Sequence, residues 1–169
     1  MTTRSFVVAL SALALTASGL SAQASPRKSA TAAIGGKNVT IDYGSPAVKG
    51  RKVMGGLVPY GEVWRLGANK ATHLTTDGDL MIGSLAVPAG TYTLFAVPDE
   101  MGWMLIVNKK TGQWGIPYKA EYKDTEVGRV AMKVSKTAAL VEAMAIALEG
   151  NMLSVEWENT RATVALKAK

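Results

Sequence analysis

The chain has no cysteine in its 169 residues, one histidine, His73, and two phenylalanines. Without cysteine there can be no disulfide, no thiol nucleophile and no thiolate metal site. One histidine and no cluster of acids leave a transition metal without a ligand set, so no metal is expected. Asp77-Gly78-Asp79 offers oxygens to calcium but lacks the further acids of a calcium loop, and a hairpin turn accounts for it. A Ser-His-Asp hydrolase would have to move its proton through His73, yet no Gly-x-Ser-x-Gly turn accompanies it. The Gly-x-x-x-x-Gly-Lys-Ser/Thr spacing of a phosphate loop is missing too. No cofactor is expected.

The charge is modestly basic, at +6. Basic residues are scattered apart from Arg27-Lys28, Lys49 to Lys52 and Lys109-Lys110, and none of these groups resembles a nucleic-acid arm. Nucleic acid is therefore not an expected partner.

Residues 1–24 carry the pattern of a cleaved signal peptide. Arg4 supplies a positive start, Ser5 to Leu20 is an apolar run, and Ala22-Gln23-Ala24 is a small-x-small cleavage site. The run is short for a spanning helix and broken by Ser, Thr and Gly, so no transmembrane segment is expected in the mature chain. With no cysteine after the run, a lipid anchor on a processed cysteine is excluded. The expectation is a periplasmic or secreted protein, a single domain over residues 25–169, with 18 basic against 13 acidic residues. Such a chain must be held by its own core.

Strand periodicity dominates that domain. Val39, Ile41 and Tyr43 alternate with Thr40 and Asp42 after a Gly35-Gly36 turn, as on a half-buried strand. Further strands are predicted over 71–76, 80–82, 85–87 and 92–97, with Asp77-Gly78-Asp79 as a tight hairpin turn between the first two. Trp103 to Val107 reads as a buried central strand, and Val127 to Val134 as another. Residues 140–148 are ambiguous. Leu140, Met144 and Leu148 have helical spacing, while Met144, Ile146 and Leu148 alternate as a strand would. The clean alternation of Leu153, Val155 and Trp157 favours a closing antiparallel meander, with a last strand over 163–166. About nine short strands predict an all-β, antiparallel β-sandwich, with a partly open β-barrel as the alternative.

The longest interruption runs from Ala47 to Asn69, and a second loop spans Asn108 to Pro117. Ordered loops of this length carry function or pack as structure. The candidate ligand-binding residues are Arg51, Tyr60, Glu62, Trp64, Arg65, Asn69 and Trp114. Loop aromatics can stack on a flat ligand while Arg65 and Asn69 hold its polar groups. Equally, Trp64 could plug the end of the sandwich and Arg65 could brace it. Arg51, Lys52 and Arg65 could also form a loose anion site. The expected partner is a small molecule, a glycan or an envelope protein, without catalysis. The alternatives are a hydrolase using Glu62 with Asp42 or His73, and a purely structural interaction module.

Tyr43-Gly-Ser-Pro46, Val48-Lys-Gly-Arg-Lys52, Gly55 to Gly61 and Val63-Trp-Arg-Leu-Gly-Ala-Asn69 carry a recognisable pattern. Pro88-Ala-Gly-Thr-Tyr92, Asn108-Lys109, Gln113-Trp-Gly115, Val141-Glu142 and Leu153-Ser-Val-Glu-Trp-Glu158 follow in order. Together they resemble a bacterial exported family called domain of unknown function 2911. The resemblance covers nearly all of the mature chain; no correspondence is drawn over 118–126. It implies an all-β envelope domain, favours strand around Val141, and implies no reaction.

Overall fold

In the computed structural model, which describes residues 25–169, the alternation of the sequence becomes burial. Val39, Ile41 and Tyr43 point inward from β2 (Lys37–Gly44), and Thr40 and Asp42 point outward. β1 (Arg27–Ile34) pairs with β2 across the two glycines. After the long crossover come β3 (Thr72–Thr76), β4 (Leu80–Ile82), β5 (Leu85–Val87), β6 (Gly90–Val97) and β7 (Gly102–Asn108). A single helical turn, α1 (Ala120–Lys123), precedes β8 (Glu126–Glu149) and β9 (Met152–Ala168). All pairings between these strands are antiparallel, in one nine-stranded sheet of order β1-β2-β3-β6-β7-β8-β9-β4-β5. The all-β expectation holds; the sheet is open, so the barrel alternative does not. The signal-peptide expectation lies outside the described residues.

One continuous sheet makes two facing layers because its longest hairpin bends. β8 and β9 have 24 and 17 residues, so these two strands are far from short. Their register shifts between Lys136 and Val141 and again between Val141 and Ala145, and Glu158 opposite takes φ 57°. Such irregularities bend a strand and sharpen its twist. The outer half of the hairpin carries Met144, Ile146, Leu153, Val155 and Trp157 into the same core as Val39, Ile41 and Leu74. The ambiguity at 140–148 is thereby resolved as strand: Met144 and Ile146 are buried, whereas Leu140 is 56% exposed.

The expected hairpin between β3 and β4 does not form. β3 pairs with β2 and β6, and β4 pairs with β5 and β9. The acids of the turn explain why. Asp77 accepts hydrogen bonds from Asn38 N (2.8 Å) and Asn38 Nδ2 (2.7 Å), and Asp79 accepts one from Ala89 N (2.9 Å). These contacts fasten a corner where the chain leaves one layer for the far edge, and Leu80 and Ile82 are buried there. Among the described residues, no helix is long and apolar enough to cross a membrane.

If β8 continues as strand through this segment, Ile146→Ala is expected to cost about 2–5 kcal/mol and Leu140→Ala no more than about 0.5 kcal/mol in urea unfolding. A large loss at Leu140 would indicate the helical face instead.

Candidate functional site

The 44–69 crossover is built on backbone contacts that few residue types allow. A Cβ on Gly44 would collide with the carbonyl oxygen of Ala68, and one on Gly67 would lie 2.9 Å from Thr72 Oγ1 and 3.0 Å from Gly44 O. The two glycines let the ends of the crossover touch. Downstream of Gly44 the chain runs beside the outer half of β8. Ser45 Oγ donates to Met144 O (2.6 Å), Met144 N donates to Pro46 O (2.8 Å), and Val48 N donates to Glu142 O (2.7 Å). Two carboxylates grip the same loop: Glu142 accepts from Lys49 N (2.9 Å), and Glu158 from Val53 N (3.1 Å) and Met54 N (3.3 Å).

Trp64 closes the loop onto the sandwich. Its backbone exchanges hydrogen bonds with Ala96 at 2.7 and 2.9 Å, continuing the lane that β3 leaves at Leu94. Its ring stacks on Trp157, with centroids 5.9 Å apart at 20°, and meets Trp103 edge-on at 5.8 Å. The indole Nε1–H donates to Gly67 O at 3.2 Å, and the residue is 8% exposed. Trp64 is thus a plug. Leu66 is fully buried at φ 51°, a conformation costly for a branched side chain. Its carbonyl accepts from Thr72 Oγ1 at 2.7 Å.

Arg65 and Asn69 hold the rim. Arg65 Nη1 donates to Asn69 O (2.6 Å) and to Trp114 O (3.2 Å), tying the two loops together. Asn69, at φ 63°, donates from Nδ2 to Ser25 O (3.3 Å). Burial holds the Arg65 guanidinium below its ordinary pKa. Arg51 is also held by carbonyls, through Nε to Val48 O (3.0 Å) and Nη2 to Ala47 O (2.6 Å).

The second loop is anchored where no family correspondence had been drawn. Tyr118 and Tyr122 pack on Phe95 and Ile106, and Asn108 Nδ2 donates to Tyr122 O (2.6 Å). Burial and the nearby Glu126 push the Tyr118 phenol up to about 12, so it remains a donor to Glu126 Oε1 at 2.5 Å. Gln113 Nε2 donates to Thr93 Oγ1 (3.1 Å) and Lys110 O (3.0 Å). This framework presents Trp114, 57% exposed, opposite the crossover.

Between the two loops lies a cleft of about 380 Å³. It gathers Arg51, Trp64, Arg65, Asn69 and Trp114, with Val58, Trp64 and Trp157 buried in its wall. The cleft also takes in Leu57 and Ile116, which were not singled out from the sequence. Apolar residues left in loops beside glycine were the available signal. Tyr60 and Glu62 do not line it. Tyr60 packs over Gly55, where burial and the charges of Glu100, Glu158 and Asp99 raise its pKa. Glu62 is exposed.

Asp42 and His73 lie elsewhere, on the outer face of the sheet. They are cross-strand neighbours, and Arg27 clamps Asp42 through Nε (3.0 Å) and Nη2 (2.8 Å). Burial lowers the His73 pKa, Arg27 adds to the effect, and Asp42 opposes it. Neither residue borders the cleft. No group of three His, Cys, Asp or Glu residues able to hold a metal occurs among the described residues.

The division of labour between two loop tryptophans can be measured. Trp64→Ala is expected to cost about 3–5 kcal/mol of stability and Trp114→Ala no more than about 0.5 kcal/mol, by denaturant unfolding. Equal effects would contradict it.

No curated protein and no solved structure matches the chain. A family model does: residues 25–166 match the one described as "Protein of unknown function (DUF2911)". The match spans the sheet, the crossover that Trp64 plugs and both walls of the cleft, and the chain belongs to that family.

Proposed function

We propose that this is an exported, non-enzymatic binding protein that takes a small ligand, a glycan-like one included, in the cleft between the 49–69 loop and Trp114. The observation that carries the proposal is the convergence of separate loops on one opening. Leu57 (47% exposed), Trp114 and Ile116 (37%) are three of the eight exposed large hydrophobic residues among those described, and all three border this cleft. Exposed apolar surface gathered around polar groups is what a ligand site requires, and the volume lies at the lower end of the usual range for such sites. Binding is favoured over hydrolysis because Glu62, Asp42 and His73 do not come together: Glu62 is exposed on the loop, while His73 and Asp42, the latter clamped by Arg27, line a neighbouring hollow beyond Trp114. A binding role for the face would also accommodate an envelope protein partner, but a recessed opening suits a small molecule better.

Retention on an array of envelope glycans and small metabolites tests the proposal. Trp114→Ala is expected to abolish retention while the thermal midpoint stays near that of the parent chain. Retention indifferent to Trp114, or turnover lost in Glu62→Gln or His73→Ala, would favour the alternatives. Export rests on the pattern of residues 1–24. N-terminal sequencing of the protein from fractionated cells is expected to begin at Ser25, and a start at Met1 in the cytosol would refute it.

A further inference from the structure

We infer that the ligand of this cleft is an organic anion: a flat or apolar body bearing a carboxylate or phosphate, its charge seated on Arg65 and Arg51 and its body on Trp114. The inference rests on the binding role proposed above and narrows it to a chemical class.

Charge balance within the cleft is the first support. Two guanidinium groups border it and no carboxylate does. Among the described residues, the ion pairs are Arg27–Asp42, Lys110–Glu121, Arg129–Glu126 and Arg161–Glu156, so neither Arg51 nor Arg65 has an acidic partner. The two carboxylates that reach the loop, Glu142 and Glu158, are taken up by the backbone N–H groups of Lys49, Val53 and Met54. A charge removed from water without a counter-charge is costly, so a partly buried guanidinium gains from an anionic partner. Arg65 is half-buried and lacks that partner among the described residues.

The hydrogen bonds supply the second support. Arg65 uses Nη1 alone, on Asn69 O and Trp114 O, so Nε and Nη2 have no acceptor among the described residues. Arg51 uses Nε and one Nη2 hydrogen on Val48 O and Ala47 O, which leaves Nη1 without one. Neutral carbonyls therefore fix both groups in place without neutralising them. A guanidinium held in this way presents a planar fork suited to a carboxylate or phosphate, and little side-chain entropy remains to be lost on binding.

The apolar rim sets the rest of the molecule. Leu57, Trp114 and Ile116 lie beside the arginines, so a bare inorganic anion would leave them uncovered. An aromatic or ring-shaped body attached to the anion would cover them.

The test uses matched probes on the full mature chain by titration calorimetry: 2-naphthylacetate, its neutral amide 2-naphthylacetamide, and 2-naphthyl phosphate. The acid is expected to bind roughly tenfold or more tightly than the amide, the scale of one charge-assisted hydrogen bond. Raising the salt concentration should weaken the acid and leave the amide unchanged. The phosphate arm shows which anion the fork prefers, and either preference supports the inference. Arg51→Gln and Arg65→Gln are expected to erase the difference between acid and amide, and Arg65→Lys to keep part of it. Because the acid and amide are compared on the unaltered chain, an unstable arginine variant does not spoil the test. Equal affinity of acid and amide, lost in Trp114→Ala, would overturn the anion and leave the binding role standing. If no probe binds, or binding ignores Trp114, the anion inference falls, while retention on the array decides the binding role separately.

Discussion

The contact on which the rest of this molecule depends is the Trp64 ring stacked on Trp157, with Trp103 against its edge. Trp157 belongs to β9, Trp103 to β7, and the Trp64 backbone is bonded to Ala96 in β6. One loop side chain thus joins the folded-over hairpin to the strands beneath it. Aromatic packing of this kind adds to simple burial, so a loop without regular structure can be held nearly as firmly as a strand. The same ring borders the cleft. The plug of the sandwich is thereby also a wall of the cleft.

The bend of the β8–β9 hairpin is the matching constraint on the other side. Where its register slips, Glu158 takes a left-handed backbone and sends its carboxylate to Val53 and Met54. The Glu142 carboxylate likewise accepts from Lys49 N. Acids that would otherwise oppose the loop's basic charge are thereby spent on backbone donors. Among the described residues, Arg51 and Arg65 remain with carbonyl partners only. A structural need, satisfying the amides of a long loop, produces the electrostatic character of the cleft.

Strands were legible where one face is buried, because the two-residue period is written directly into Val39, Ile41 and Tyr43, or Leu153, Val155 and Trp157. Their partners were less so. Asp77-Gly78-Asp79 has the composition of a hairpin, yet its acids accept hydrogen bonds from Asn38 and Ala89, outside the turn. Local turn chemistry is the same for a hairpin and for a corner between layers, so only the donors outside the turn decide. Among the candidate residues that composition points to, Arg51, Trp64, Arg65, Asn69 and Trp114 line one cleft. Tyr60 and Glu62 share the loop but turn to other sides of it, and no periodicity exists in such a segment to say which way a side chain points.

Of the four tryptophans, three belong to the core at 8% exposure or less, and Trp114 alone is open to solvent, at 57%. Iodide quenching of tryptophan fluorescence reads that arrangement directly. In Trp114→Phe the quenchable component is expected to vanish, leaving the blue-shifted emission of buried indoles. A quenchable component that survives the substitution would mean that Trp64 is not the plug of the sandwich, and the account of both fold and cleft would fail with it.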